Sequence, residues 1–96
     1  MHVISSSAIR LAANNYPNSA NALAGWLKLF KNNKFKDFTE LKQIFGSLDK
    51  VGKFYIFNVG GNKLRIITAI HFNRGKVYVR GILNHKQYDQ GYWKTL

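Results

Sequence analysis

Cysteine is absent from this chain, which removes disulfides, thiolate metal sites and thiol nucleophiles together and suits a reducing compartment. Acid is nearly as scarce, since Asp37, Glu40, Asp49 and Asp89 are the only acidic residues among 96. No two of them recur at metal-ligand spacing, and His2, His71 and His85 do not complete a set. Asp37 and Glu40, three apart, read as the start of a helix, served by capping and the macrodipole. Neither a two-metal nuclease nor any other metal or cofactor chemistry is expected. A serine triad is no better founded, because Ser5 to Ser7 read as a helix cap. Also missing are any run of about 18 apolar residues that would cross a membrane and, in "MHVISSSAIRLAANN", the basic and apolar regions of a secretory leader. The chain is therefore expected to be cytoplasmic. No repeat, low-complexity tract or linker interrupts it, so residues 1–96 are expected to form a single domain with a small core.

What the chain has in excess is positive charge: fifteen Lys and Arg give a net +11 and a sequence pI near 10.2. Such an excess attracts nucleic acid through phosphate contacts and counterion release, and it would also attract an acidic protein or an anionic membrane surface. The membrane reading needs a strongly basic amphipathic helix. The helical segments here are less basic than the C-terminal half.

Two helices, and then a short third helix or turn, are expected first. Ser5–Asn14 has Ser caps and apolar positions at Ile9 and Ala12 or Ala13, and stops at an Asn pair. After Pro17, with a cap at Asn18 or Ser19, Ala20, Leu23, Trp26, Leu27 and Phe30 recur at helical spacing up to Asn32 and Asn33. "DFTELKQIFG" offers Asp37 or Thr39 as cap and Leu41, Ile44 and Phe45 as apolar positions. Three strands then follow at Lys53–Val59, Lys63–Phe72 and Lys76–Leu83, separated by "GGN" and "NRG". The order predicts an α+β fold, with N-terminal helices packed on a small antiparallel sheet.

Strand alternation divides the middle strand into a core set, Leu64, Ile66, Thr68, Ile70 and Phe72, and a second set, Lys63, Arg65, Ile67, Ala69 and His71. A two-residue turn at Gly60–Gly61 would pair Val59 with Asn62, Asn58 with Lys63 and Ile56 with Arg65. A second turn at Arg74–Gly75 would set Ala69 against Arg80 and His71 against Tyr78. Asn58, Tyr78 and Arg80 then join Lys63 and Arg65 on one basic face. Guanidiniums crowded on one sheet repel unless an anion joins them, and Asp89 cannot neutralise them all.

RNA carries its own nucleophile, the 2′-OH. A catalyst need only align it, take its proton, stabilise the phosphorane and protonate the leaving 5′-oxygen, for which Arg, Lys, His and Tyr suffice. The segment "LNHKQYDQGYW" after the last strand brings His85, Lys86, Tyr88, Asp89, Tyr92 and Trp93, and can fold over the basic face. Packing is the plain reading of Tyr88 and Trp93, a satisfied sheet histidine that of His71, and a solvated surface that of Lys28, Lys31, Lys34 and Lys36.

"FYIFNVGGNKLRIITAIHF" followed by "VYVRGILNHKQYDQGYW" resembles the strand core and C-terminal signature of the HigB family of toxins, within the RelE-like superfamily. The helical half resembles the family too, so the likeness spans nearly the whole chain. It implies the RelE-like toxin fold and a type II toxin–antitoxin system. It also implies an mRNA interferase that cuts message on the ribosome, and a helix-turn-helix, HigA-like antitoxin with which a heterotetramer can form. The candidate catalytic residues are Lys63, Arg65, Arg80, His85 and Tyr88. Arg65 and Arg80 are assigned to the scissile phosphate, Lys63 to charge neutralisation and His85 to acid or base, with Tyr88 or Lys86 supplying the second proton transfer. Asp89 either orients His85 or binds Lys86. Lys53, Asn58, Lys86, Trp93 and Lys94 are the expected RNA contacts. Many members read Thr where this chain has Asn84, and the lost hydroxyl leaves open the local hydrogen bonding of His85. The rivals are a non-catalytic RNA- or ribosome-binding module and a protein whose basic face only meets an acidic partner.

Overall fold

The computed structural model describes residues 1–61 and 63–96. Strand β1 (His2–Ile4) leads into helices α1 (Ser6–Asn15), α2 (Ala20–Asn32) and α3 (Phe38–Ile44). Strands β2 (Asp49–Val51), β3 (Phe54–Val59), β4 (Leu64–His71) and β5 (Lys76–Asn84) follow, then helix α4 (His85–Gln90). Short 3₁₀ turns occupy Pro17–Ser19, Phe72–Arg74 and Tyr92–Thr95. The expected helices and three long strands are all present, the short third element as a helix rather than a turn. Asp37 caps α3 by accepting from the Glu40 N–H at 3.0 Å, while the Glu40 carboxylate reaches back to the Lys36 N–H at 2.7 Å, a reciprocal arrangement that satisfies donors the helix start leaves open.

Among the described residues the strands form one sheet in the order β1-β5-β4-β3-β2. The β2–β3, β3–β4 and β4–β5 pairs are antiparallel, whereas β1 runs parallel to β5, so the sheet is mixed and has two edge strands that the sequence reading did not include. Both registers differ from expectation. Asn58 pairs with Arg65 and Ile56 with Ile67, a slip of two residues that preserves faces because the side-chain period is two. The expected Val59–Asn62 pair lies outside the described residues. On the other side Ala69 pairs with Tyr78 and His71 with Lys76. The register then shifts between Ile67 and Thr68, making Arg80 an extra residue between Val79 and Gly81. Such a bulge interrupts the alternation of inward and outward side chains, so parity along β5 does not carry through Arg80.

Helices α1 and α2 cover one face of the sheet. Leu23, Trp26 and Phe30, at helical spacing on α2, are buried with Phe57, Leu64, Ile66 and Val77 from the strands. The Phe30 ring contacts those of Trp26, Phe35, Phe45 and Phe57 at centroid distances of 4.8 to 5.6 Å, and such pairs add about 0.5–1.5 kcal/mol each beyond burial. Thr68, fully buried, donates its hydroxyl to the Tyr55 carbonyl at 2.8 Å, so it leaves no unmet hydrogen bond.

The β3–β4 connection is held against the helices at Gly60, whose φ is +64°. A Cβ there would stand 2.5 Å from Oγ of the buried Ser19, whereas Gly61, with φ +63°, has open space around it. Gly60→Ala is expected to lower unfolding stability by more than Gly61→Ala, and by more than about 1 kcal/mol in all, because it adds a clash to the left-handed backbone strain that both share. Urea denaturation of the two variants measures the difference.

Candidate active site

The second face of the sheet is neither solvated nor uniformly basic. Ile67, which shares its strand face with Lys63 and Arg65, is buried with Phe54, Ile56 and Trp93, and Val51, Leu83 and Tyr88 pack around them. The cover is the C-terminal segment. Its start is set by Asn84, whose side chain accepts from the Gln87 N–H at 2.8 Å while Oε1 of Gln87 accepts from the Asn84 N–H at 3.0 Å. Asn84 therefore supplies the cap acceptor that a Thr hydroxyl would offer, and His85 begins α4 in a defined backbone position. Gly91, at φ +78°, ends the helix, and Trp93 turns back into the sheet with 4% of its surface exposed. Its indole N–H donates to the Tyr88 carbonyl at 2.9 Å. The Tyr88 and Trp93 rings stack at 5.0 Å with 9° between their planes, and Phe54 meets Trp93 edge-on at 6.0 Å.

This packing lays Tyr88 against β4. The Arg65 guanidinium carbon lies 5.2 Å from the Tyr88 ring centroid, a cation–π contact that holds a planar, permanently charged donor beside a phenol. On the outer side of α4, Nδ1 of His85 lies 2.7 Å from Oδ2 of Asp89, one helical turn on. Of the two roles open to Asp89, orienting His85 is the one this geometry adopts. With Nδ1–H donated to the carboxylate, a neutral imidazole presents Nε2 as its acceptor.

The Tyr88 phenol is held above the usual tyrosine range, mainly by burial and then by the negative charge of Asp49. Asp89 pushes in the same direction, and Arg65 opposes without prevailing. The phenol therefore keeps its proton at neutral pH and is suited to donate rather than to accept. Because its folded-state value is raised, the proton adds stability below the ordinary tyrosine range that is lost as pH climbs through the shifted value.

The remaining candidates sit around this centre at varied depths. Asn58 pairs with Arg65 across the strands, and its amide donates to the Ser47 carbonyl at 3.3 Å, a long bond that ties down the approach to β2. Lys63 is exposed in the turn before β4, and Lys86 is exposed on α4. The ammonium groups of Lys53 and Lys94 lie over the Phe54 and Trp93 rings at 5.2 and 5.8 Å. Arg65, Tyr88 and Trp93 thus form a row with Tyr88 touching the other two, and Lys53 and Lys94 rim the same aromatic row. Arg80 is set apart on the exposed bulge beside Gly81, whose partner Ile67 stands two residues along from Arg65. His71, read from the sequence as a buried mid-strand histidine, is instead exposed at the far end of β4, although its ring does meet Tyr78 edge-on at 5.2 Å. Asp49 was not among the sequence candidates. It reaches this face through its pairing with Ile56, and a three-residue strand leaves no periodic signal from which that could be read. Among the described residues no group of three His, Asp or Glu side chains is placed to hold a metal ion.

Residues 19–91 match the model of the HigB toxin family, described as the RelE-like toxic component of a toxin–antitoxin system. The chain belongs to this family. It is 38% identical to the mRNA interferase toxin HigB of Escherichia coli K12 over 92 residues, which is 93% of this chain and 88% of that protein. The mRNA interferase HigB of Shigella flexneri matches at the same level. That of Escherichia coli O6:H1 is 37% identical over 94% of this chain and 90% of its own length. Membership carries with it the α+β RelE-like toxin architecture and an antitoxin partner. No helix among the described residues is long and apolar enough to cross a membrane.

Ultraviolet difference titration of a chain in which Tyr88 is the sole remaining tyrosine should give a midpoint above that of free tyrosine, and Asp49→Asn should bring it down. Replacing Asn84 by Ala is expected to cost about 1 kcal/mol through loss of the cap, with Asn84→Thr retaining most of the stability. Denaturant midpoints for the two variants check this.

Proposed function

We propose that this chain is the ribosome-dependent endoribonuclease of its toxin–antitoxin system, cleaving translated message by attack of the RNA's own 2′-OH. The observation that carries the reading is the cation–π contact of the Arg65 guanidinium with a phenol that keeps its proton, on the same short helix that carries a carboxylate-paired imidazole. The names of the relatives, mRNA interferases, support it. Nε2 of His85 takes the 2′-OH proton. The 2′-oxygen attacks phosphorus, and the Arg65 guanidinium, with Lys63 and Arg80 nearer the rim, meets the charge on the phosphorane oxygens. The 5′-oxygen leaves as the P–O bond breaks, with Tyr88 donating its proton and Lys86 the alternative donor. Asp89 holds the imidazole tautomer that the first step needs. Asn58, Lys53 and Lys94 contact the strand on either side of the cut, whereas Trp93, expected from the sequence to meet RNA, is buried beneath Tyr88 and serves the packing of the site instead. The partner that silences this activity is a helix-turn-helix, HigA-like antitoxin, joined to the toxin in a heterotetramer, and the setting is the cytoplasm.

Expression of the chain without its antitoxin, followed by mapping of message 5′ ends, tests the reading. New ends should accumulate within translated regions. Arg65→Ala should reduce them by about 10²–10³-fold and His85→Gln by about 10²-fold or more, with both variants still folded and still sedimenting with ribosomes. A wild-type chain that binds ribosomes without producing new ends would make it a non-catalytic binding module.

A further inference from the structure

One acid on the active face has no structural task. Of the four acids in the chain, Asp37 and Glu40 cap the start of α3, and Asp89 is paired with His85. Asp49 is exposed, and among the described residues its carboxylate takes part in no helix cap and no ion pair. Strand pairing fixes the side of the sheet on which it stands. Asp49 lies opposite Ile56, which lies opposite Ile67, and residues paired across strands share a face. Val51, two residues on, marks the same face by packing with Phe54, Ile56, Ile67 and Trp93. The chain is tied in place just before Asp49, where Lys42 donates to the Leu48 carbonyl at 2.6 Å and Asn58 to that of Ser47 at 3.3 Å. The lysines of this edge and rim are engaged elsewhere. Lys50 donates to the Gly52 carbonyl at 2.7 Å, and the ammonium groups of Lys53 and Lys94 lie over aromatic rings.

A bare carboxylate is out of place on a surface that holds phosphate alone, because it repels the backbone of the strand. It is suited to the N–H donors of a base edge. Its position favours the same role. Asp49 stands two strand spacings across and two residues along from Arg65, about 12 Å between backbones, and its side chain is short. A phosphate held at Arg65 keeps the reacting ribose hydroxyl close beside it, whereas the base of a bound nucleotide projects far enough to cross such a gap. The charge of Asp49 also acts on the Tyr88 phenol, so the carboxylate is within electrostatic range of the reacting groups. We infer that Asp49 is a specificity-determining residue of the proposed cleavage, accepting the exocyclic amino group of an unpaired base beside the cut. Adenine, cytosine and guanine each carry such a group. Uracil carries none, and its one N–H is flanked by carbonyl oxygens that a carboxylate repels. The inference rests on the proposed activity and adds to it a discrimination against uracil at one position.

The test compares the wild-type chain with Asp49→Asn and, as a control for charge, Glu40→Gln. The first readout is cleavage, in a purified translation reaction, of messages that differ only in the base at each position next to the cut. Wild type should disfavour uracil at one of these positions by about tenfold, the worth of one good base contact. Asp49→Asn, whose amide offers a donor as well as an acceptor, should cut the uracil message nearly as well as the others, while Glu40→Gln keeps the wild-type preference. Loss of rate by one factor for all four bases, with a shifted pH profile, would confine Asp49 to its effect on Tyr88 and overturn the inference. So would a wild type indifferent to the base at every position, or an Asp49→Asn variant that keeps the wild-type preference. The second readout is binding of short RNAs made uncuttable by a 2′-deoxy residue at the cleavage position. It should show the same discrimination, and the same loss of it in Asp49→Asn. A wild type that cuts no message but discriminates in binding overturns the proposed activity and leaves the base contact standing.

Discussion

The burial of Trp93 is the interaction on which the arrangement of the site depends. The indole fills the second core with Phe54, Ile56 and Ile67 and donates to the Tyr88 carbonyl, so a six-residue helix too short to persist alone is fastened to a rigid sheet. Tyr88 is pinned between Trp93 and Arg65 as a result. His85 and Asp89, on the same helix, inherit their position from that anchor. Removing the indole would therefore cost more than its own packing, since the cover of the second face and the placement of three polar side chains fail together.

The charge distribution follows from the same construction. A strand buried on both faces, as β4 is at Ile66, Ile67 and Thr68, leaves its cations at the margins. Arg65 is half-buried at one end against an aromatic ring, where desolvation strengthens its pull on an anion. With four acids in the chain, two of them at the start of α3 and a third paired to His85, little counter-charge is left for the rest. Asp49 also stands on this face, and its charge helps keep the Tyr88 phenol protonated.

Much of this was legible in the chain, wherever a pattern repeats over enough residues to be read. The period of two in "LRIITAIH" and the helical spacing of Leu23, Trp26 and Phe30 were sufficient for the main elements and the α+β class. Faces survived the two-residue slips on both sides of β4, but along β5 only as far as the bulge at Arg80, because one extra residue resets alternation without leaving a mark in composition. β1 and β2, three residues each, carry no period. The start of α4 was readable in principle, since Asn84 and Gln87 have the spacing of a capping box. The chemical types at Arg65, His85, Tyr88 and Asp89 pointed to a site, yet their contacts depend on a chain reversal at Gly91 that only the fold displays. Whether the face of Ile67 is open or covered could not be read from its own strand, as its cover comes from 26 residues later in the chain.

The most direct test of the account is the chemistry of the cut ends. Attack by the 2′-OH leaves the upstream fragment with a 2′,3′-cyclic or 3′-phosphate and the downstream fragment with a free 5′-OH. Ligation-based capture of primary fragments from a purified translation reaction containing the wild-type chain reads both ends directly. The account predicts downstream fragments that cannot be ligated until a kinase has added phosphate to the 5′-OH. Primary fragments carrying a 5′-phosphate and a 3′-OH would mean that water, not the RNA itself, attacks phosphorus, and would contradict the roles assigned to Arg65, His85 and Tyr88.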